Sequence, residues 1–142
     1  MRLLFAATTV LALSATLGLG QDAPKQIKKV GATYTSPASG PEMFRSYCAA
    51  CHGLDAKGTG PAAPALTKAP ADLTLLARKH GGKYPAADVE YFITGETVKE
   101  AHGSRDMPIW GDVFRGLGAN QGTITQLRVK NLSDYIGTLQ QK

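Results

Sequence analysis

Apolar side chains recur on one helical face shortly before the middle of the chain. Met43, Phe44 and Tyr47 share this face, at the spacing of an α-helix. The dipeptide Gly40-Pro41 comes before them, and a proline suits the first turn of a helix. The pattern therefore predicts an amphipathic helix that begins near Gly40.

A second periodic stretch lies at the end of the chain. Thr123 and Gln126 predict a capping box at its start. The apolar residues that follow at steps of three and four are Ile124, Leu127, Leu132, Tyr135, Ile136 and Leu139. This stretch predicts a second amphipathic helix.

Between these two helices the pattern predicts shorter helices joined by loops. Residues 53–66 are rich in Gly, Ala and Pro and predict a loop. Residues 71–79 predict a short helix after Pro70, and residues 85–94 predict another that ends at Gly95. The apolar residues expected to supply core surface there are Val89, Tyr91, Phe92 and Ile93. Because no stretch alternates long enough to support a sheet, we expect an all-α chain.

The first residues have the pattern of an export signal. Arg2 gives a positive start, an apolar stretch runs to Leu19, and Gly18 and Gly20 are the small residues that a signal peptidase accepts. The predicted parts of the chain are a signal peptide over 1–20, a flexible polar leader over 21–39 and one folded domain over 40–141. The alternative is that the apolar stretch is kept as a membrane anchor, although it is at the lower limit for a spanning helix.

The charge of the chain excludes one class of partner. The formal net charge is +5, and it becomes +4 when Arg2 leaves with the signal. The basic residues do not form the clustered stripe that nucleic-acid binding requires. We therefore expect no nucleic-acid partner.

The chain's two cysteines lie three positions apart and a histidine follows the second, in the run Cys48-Ala49-Ala50-Cys51-His52. One helical turn places the two thiols on the same face, close enough for thioether bonds to the two vinyl groups of a haem. The imidazole of His52 then lies beside the iron and binds it as the proximal ligand. The run predicts one covalent haem c, attached through Cys48 and Cys51, with its iron bound by His52.

Two other chemistries use the same residue types. A dithiol redox site places its cysteine pair at the start of a helix, where the helix dipole lowers the thiol pKa, whereas this pair ends a predicted helix. A zinc site built from Cys48, Cys51, His80 and His102 leaves His52 without a role. Both remain alternatives to the haem site.

The small and aromatic residues of the first predicted helix, with the haem-binding run, resemble class I cytochromes c: Gly40, Phe44, Cys48, Cys51 and His52. The resemblance implies a cytochrome c fold over 40–141, with several short helices and loops around one covalently bound haem. It also implies export, to the periplasm of a bacterium, because these proteins receive their haem on the outer side of the membrane. It implies further that Gly40 and Phe44 pack against Tyr135 of the C-terminal helix.

The resemblance also suggests which residues support the proximal histidine. In this family a proline carbonyl accepts the ring N–H of that histidine. Pro64, with Leu66 beyond it, lies at the usual distance after His52, and Pro61 is the alternative. The resemblance therefore places Pro64 and Leu66 among the cofactor-binding residues.

A methionine is the expected second axial ligand. Met1 leaves with the signal and Met43 lies on the helix that carries the cysteines, so Met107 is the methionine placed to reach the distal face. The run from Met107 to Gly111 resembles the methionine-proline ligand loop of class I cytochromes c. Pro108 keeps Met107 out of the helical conformation, which suits a loop that delivers a ligand.

Two histidines are rivals of Met107, since imidazole also binds iron well. His80 lies at a predicted helix end, where we expect it to bond the last carbonyls instead. His102, together with Arg105 and Trp110, is expected near a haem propionate.

Axial ligation by His52 and Met107 predicts an electron carrier and not an enzyme, because no coordination position stays open. A thioether ligand favours ferrous iron and raises the reduction potential. We expect a monomer that docks transiently with its electron donor and acceptor and associates with membranes only through these partners. Lys57, Lys68 and Lys99 are expected to steer acidic partners. The alternatives are a haem subunit bound permanently to a periplasmic dehydrogenase or terminal oxidase, or a haem sensor or enzyme with a labile Met107.

Overall fold

A computed structural model describes residues 31–96, 107–118 and 121–141. Its elements are α1 (Gly40–Met43), a π-helical turn (Phe44–Cys48), α2 (Ala49–His52), 3-10 turns (Ala63–Ala65 and Leu73–Leu75), α3 (Leu76–Lys79), α4 (Ala86–Thr94), α5 (Trp110–Arg115) and α6 (Gln121–Thr138). These ranges contain helices and no strand, which confirms the all-α prediction. No helix in them has the length and apolar character needed to cross a membrane. The predicted signal peptide and the first part of the predicted leader lie outside the described residues.

The first helix begins where the sequence predicts. Ser39 caps it, because its hydroxyl accepts a hydrogen bond from the backbone N–H of Glu42 at 3.3 Å. Pro41 occupies the first turn, and the carboxylate of Glu42 lies near the positive end of the helix dipole. The backbone then runs through the π-helical turn and α2 to His52.

The crossing of α1 and α6 depends on a residue without a side chain. A Cβ on Gly40 would overlap the carbonyl oxygen of Asn131 and lie 2.6 Å from the Cβ of Tyr135. One turn later, the rings of Phe44 and Tyr135 pack with their centroids 5.5 Å apart. The predicted contact of Gly40 and Phe44 with Tyr135 is confirmed.

The long helix α6 organises the core, since α1, α4 and α5 all pack against it. The largest buried apolar residues are Met43, Phe44, Tyr47, Val89, Ile93, Phe114, Val129, Leu132 and Ile136. Tyr84 holds the segment that precedes α4 against α6, because its hydroxyl donates to the carbonyl of Ser133 at 2.8 Å. The start of the first helical run, α1, and the helices α4 and α5 are therefore all held by α6.

Several predicted boundaries differ from the observed ones. The helix predicted over 71–79 begins as a 3-10 turn at Leu73, because Asp72 accepts the N–H of Thr74 and caps it. The predicted capping box is wrong, since α6 begins at Gln121 and Thr123 lies inside it. Helix α5 was not predicted.

Helix α4 agrees with its prediction and ends at Gly95, whose φ of +83° favours glycine. Its apolar residues do not all face the core, however. Val89 and Ile93 are buried, whereas Tyr91 and Phe92 are 47% and 58% exposed. Tyr91 and Phe92 therefore do not pack in the protein core of the described residues, because the helix turns both positions outward.

The last residues of the predicted leader contact the folded domain. Thr35 is buried and bonds both Tyr47 and Arg128, and the side-chain amide of Asn131 donates to the carbonyl of Pro37 at 2.9 Å. The packed part of the chain therefore extends before Gly40, which the polar character of this stretch did not indicate.

Candidate haem-attachment site

The two cysteines lie on the last turns of the first helical run. Cys48 ends the π-helical turn and is buried, while Cys51 lies in α2 and is partly exposed. Neither forms a disulfide. The turn that contains Cys48 is wider than an α-helical turn, since the N–H of Ala49 bonds the carbonyl of Phe44 five residues earlier, and such π-bulges are frequent at functional sites.

A loop closes the end of this helix. The last four carbonyls of a helix lack partners within it, and here backbone N–H groups bond all four. The pairs are Gly53 to Ala49 at 2.9 Å, Ala62 to Ala50 at 2.8 Å, Gly60 to Cys51 at 3.0 Å and Gly58 to His52 at 2.7 Å. The loop is thus a cap that holds both cysteines and the histidine in place.

The glycines of this loop allow that close approach. A Cβ on Gly60 would overlap the carbonyl oxygen of Ala50 and lie 2.6 Å from that of Ala49. Gly58 has a φ of +82°, and a Cβ there would overlap the carbonyl oxygen of Pro70. A larger residue at Gly60 would push the loop away from the carbonyls that it caps.

The imidazole of His52 has a defined proton position. Its Nδ1 lies 3.0 Å from the carbonyl oxygen of Ala71, and because a carbonyl only accepts, Nδ1 carries the hydrogen. The lone pair is therefore on Nε2, to which no described residue hydrogen-bonds. Burial lowers the pKa of His52, although the bond to Ala71 acts in the opposite direction. A neutral imidazole with Nε2 available is the form that binds metal.

The acceptor for His52 differs from the expectation. It is Ala71, not Pro64 or Pro61, because the chain beyond the capping loop folds back and brings the Ala71 carbonyl to 3.0 Å from Nδ1. Pro64 lies in an exposed 3-10 turn and Leu66 is partly buried. Their contact with haem remains a prediction.

The backbone around Ala71 is fixed from several sides. One carboxylate oxygen of Asp72 accepts from the N–H of Thr74 at 2.9 Å and from its hydroxyl at 2.6 Å. The N–H of Leu73 bonds the carbonyl of Ala56 at 2.8 Å, and the side-chain amide of Gln140 donates to the carbonyl of Leu73 at 2.7 Å. Neighbouring residues and two distant parts of the chain thus position the acceptor of His52.

The thiol environment disfavours dithiol chemistry. Burial, followed by the neighbouring Cys51, raises the pKa of Cys48 to about 12. A reactive cysteine requires the opposite shift, because the thiolate is the nucleophile. This environment therefore disfavours thiol exchange at Cys48.

The other candidate ligands are only partly described. The Nδ1 of His80 donates to the carbonyl of Leu76 at 2.8 Å, which confirms the predicted bond at a helix end. Within the described ranges, no three His, Cys, Asp or Glu residues form a cluster that would hold a metal ion. His102, Arg105 and Lys99 lie outside the described residues.

Met107 is 40% exposed and stands three residues before α5. The chain between them is anchored, since Ile109 packs on Gly95 and Gly111 lies against the backbone of Thr94. Trp110 begins α5 and packs on the ring of Tyr47, with centroids 5.2 Å apart. Because Tyr47 comes directly before Cys48, this stacking links the Met107 segment to the attachment helix, a relationship that the sequence did not reveal.

These residues fit a covalent haem. The two thiols are unbridged and lie one turn apart, and the adjacent imidazole presents Nε2. A family model described as cytochrome c matches residues 37–140, which is well over half of the chain. The chain belongs to the cytochrome c family. Cytochromes c bind haem c covalently through cysteines, and Cys48, Cys51 and His52 form the attachment motif of the family. No curated protein and no solved structure matches the chain.

Proposed function

We propose that this protein is an exported class I cytochrome c that binds one haem and carries single electrons between redox partners. The observation that carries the proposal is the His52 geometry, in which Nδ1–H donates to Ala71 and leaves Nε2 available beside two unbridged thiols. The chain has two cysteines in all, which is enough for one doubly attached haem.

Each residue of the site has a distinct role in this proposal. When bound, haem supplies an iron that alternates between the ferrous and ferric states. Cys48 and Cys51 hold the porphyrin by thioether bonds, and His52 binds the iron through Nε2. The Ala71 carbonyl orients the imidazole and raises its donor strength. Met107 supplies a soft sulfur ligand that favours the ferrous state.

The capping loop suits this role because electron transfer is fastest when ligands move little. Four backbone bonds hold the end of α2, and three further contacts hold the segment of Ala71. His52 therefore keeps one orientation in both oxidation states.

A carrier and a haem enzyme differ in one testable property. With His52 and Met107 both bound, the reduced protein has no position for an added diatomic ligand. Carbon monoxide added to dithionite-reduced protein should leave the absorption spectrum unchanged. Rapid, stoichiometric binding of carbon monoxide would overturn the carrier proposal and favour a sensor or enzyme with a labile Met107.

The docking mode needs a separate measurement. We propose a monomer in the periplasm that meets its partners transiently, and sedimentation of the mature holoprotein should give the monomer mass. Lys57 and Lys68 are exposed and suit an acidic partner, so electron-transfer rates should fall as salt is added. Isolation of the native protein in a stable complex with a dehydrogenase or oxidase would favour a permanent subunit instead.

A further inference from the structure

Arg128 of α6 is the largest fully buried side chain among the described residues, with no exposed surface. An arginine is almost never fully buried unless it is paired with an opposite charge. Arg128 donates instead to the carbonyl of Thr35 at 2.7 Å and to its hydroxyl at 3.0 Å. Its guanidinium also lies 5.1 Å from the ring centroid of Tyr34 and 5.9 Å from that of Phe114. All of these partners are neutral.

No described carboxylate pairs with this charge. Arg115 pairs with Asp112 and Lys130 pairs with Asp134, and both of these ion pairs lie at the surface, away from Arg128. The Nε of Arg128 has no hydrogen-bond partner there either. A guanidinium does not lose its proton in a protein, so burial leaves a full positive charge inside the domain.

A chain of hydroxyls connects this charge with the attachment turn. Tyr47 donates its hydroxyl hydrogen to the carbonyl of Thr33 at 2.7 Å, so its oxygen accepts from the Thr35 hydroxyl at 2.8 Å. The Thr35 oxygen in turn accepts from Arg128. Since Tyr47 directly precedes Cys48, the side chains of Thr35 and Tyr47 connect the charge with the turn that carries the first attachment cysteine.

We propose that the buried charge of Arg128 raises the reduction potential of the haem, an inference that rests on the proposed function. Reduction adds one electron to the iron and therefore removes one positive charge from the haem. A fixed cation inside the same domain favours that change, and its effect is larger in a protein interior than in water because screening is weaker. Arg128 is thus a tuning residue that acts on the haem through its field.

The test compares midpoint potentials of holoproteins by spectroscopic redox titration. Arg128→Gln removes the charge, whereas Thr35→Val breaks the bonds to the Thr35 hydroxyl and keeps the charge. We expect a clearly lower potential for Arg128→Gln and a potential near that of the unaltered protein for Thr35→Val. Equal shifts in the two variants, or no shift in Arg128→Gln, would overturn the proposal.

Two further variants keep the test decisive if Arg128→Gln does not accumulate. Arg128→Met is neutral and of similar length, and it should lower the potential as well. Arg128→Lys keeps a positive charge and should retain most of the potential, so a fall as large as that of a neutral variant contradicts the proposal. If the unaltered protein carries no covalent haem, the proposed function fails; if haem is normal and the potential of the neutral variants is unchanged, only the role of Arg128 fails.

Discussion

The Nδ1 of His52 lies 3.0 Å from the carbonyl oxygen of Ala71, which follows it by nineteen positions in the chain. This hydrogen bond settles which nitrogen of the imidazole presents a lone pair. It also makes the histidine depend on a turn that Asp72 caps, since Asp72 fixes the backbone directly after Ala71. The geometry of the attachment motif is therefore set in part by residues well outside it.

The first prediction concerns this turn. Asp72→Ala removes the cap, and we expect a loss of about 1 kcal/mol in the free energy of unfolding. The bond from His52 to Ala71 should also loosen, which weakens the imidazole as a donor and raises the reduction potential. Asp72→Asn loses the same charge but keeps an oxygen acceptor, so it separates the cap from electrostatics. Redox titration and urea unfolding of both holoproteins measure the two effects; equal potentials in the two variants would contradict a positioning role.

The second prediction concerns pH. The hydroxyl of Thr74, aided by its backbone N–H and by Lys57 and Lys79, lowers the pKa of Asp72 from its ordinary value of 3.8. A carboxyl whose pKa is lower in the folded state stabilises the fold above its ordinary pKa and loses that contribution as the pH falls through the native value. Urea unfolding below about pH 4 should therefore show a steeper loss of stability in the unaltered protein than in Asp72→Asn. Parallel curves would show that the ionised Asp72 contributes nothing.

The sequence predicted the features that depend on neighbouring residues or on one helical face. The attachment run, the helix near Gly40, α4 and the contact of Phe44 with Tyr135 belong to this class. The predicted acceptor of the His52 hydrogen bond was wrong, because the true acceptor depends on how the loop folds back. Backbone hydrogen bonds between distant residues leave no pattern in the side chains of the sequence. The resemblance implied a proline carbonyl as the acceptor, whereas the carbonyl of Ala71 occupies that place here.

Arg128 shows a different reason for failure. A single arginine in an amphipathic helix normally marks the solvated face, and its burial depends on Thr35, which lies far away in the chain. One signal was present, since Arg128 precedes the buried Leu132 by four residues and so shares its face. Helical position therefore pointed to the core side, but the charged side chain and its distant partner Thr35 left the burial of Arg128 unpredicted.

The third prediction tests the helix crossing. Gly40→Ala places a Cβ against the backbone of Asn131 and the side chain of Tyr135. We expect a loss of about 1–3 kcal/mol in the free energy of unfolding, the usual cost of overpacking. Gly122→Ala is the matched control, because a Cβ at that position in the first turn of α6 meets open space, and the free energy of unfolding should stay near that of the unaltered protein. Chemical denaturation of both variants measures the difference, and similar stabilities would show that the helices do not cross as described.

The fourth prediction concerns the second axial ligand. Met107→Ala should keep covalent haem, lose the weak sulfur-to-iron band of the oxidised spectrum, lower the reduction potential and allow carbon monoxide to bind. Met43→Leu is the control, because Met43 is fully buried beside Phe44 and its replacement should leave the spectrum unchanged. A six-coordinate spectrum that persists in Met107→Ala would transfer the ligand role to His80 or His102.

The most direct test of the account is whether haem stays attached to the denatured chain. The protein should be exported in a bacterial host that matures c-type cytochromes, then run on a denaturing gel and stained for haem, beside a Cys48→Ser/Cys51→Ser double variant. We predict a haem stain that comigrates with the unaltered chain and is absent from the double variant. An unaltered chain that carries no haem, with both thiols open to a thiol reagent after denaturation, would contradict the assignment of Cys48, Cys51 and His52 as a haem-attachment site.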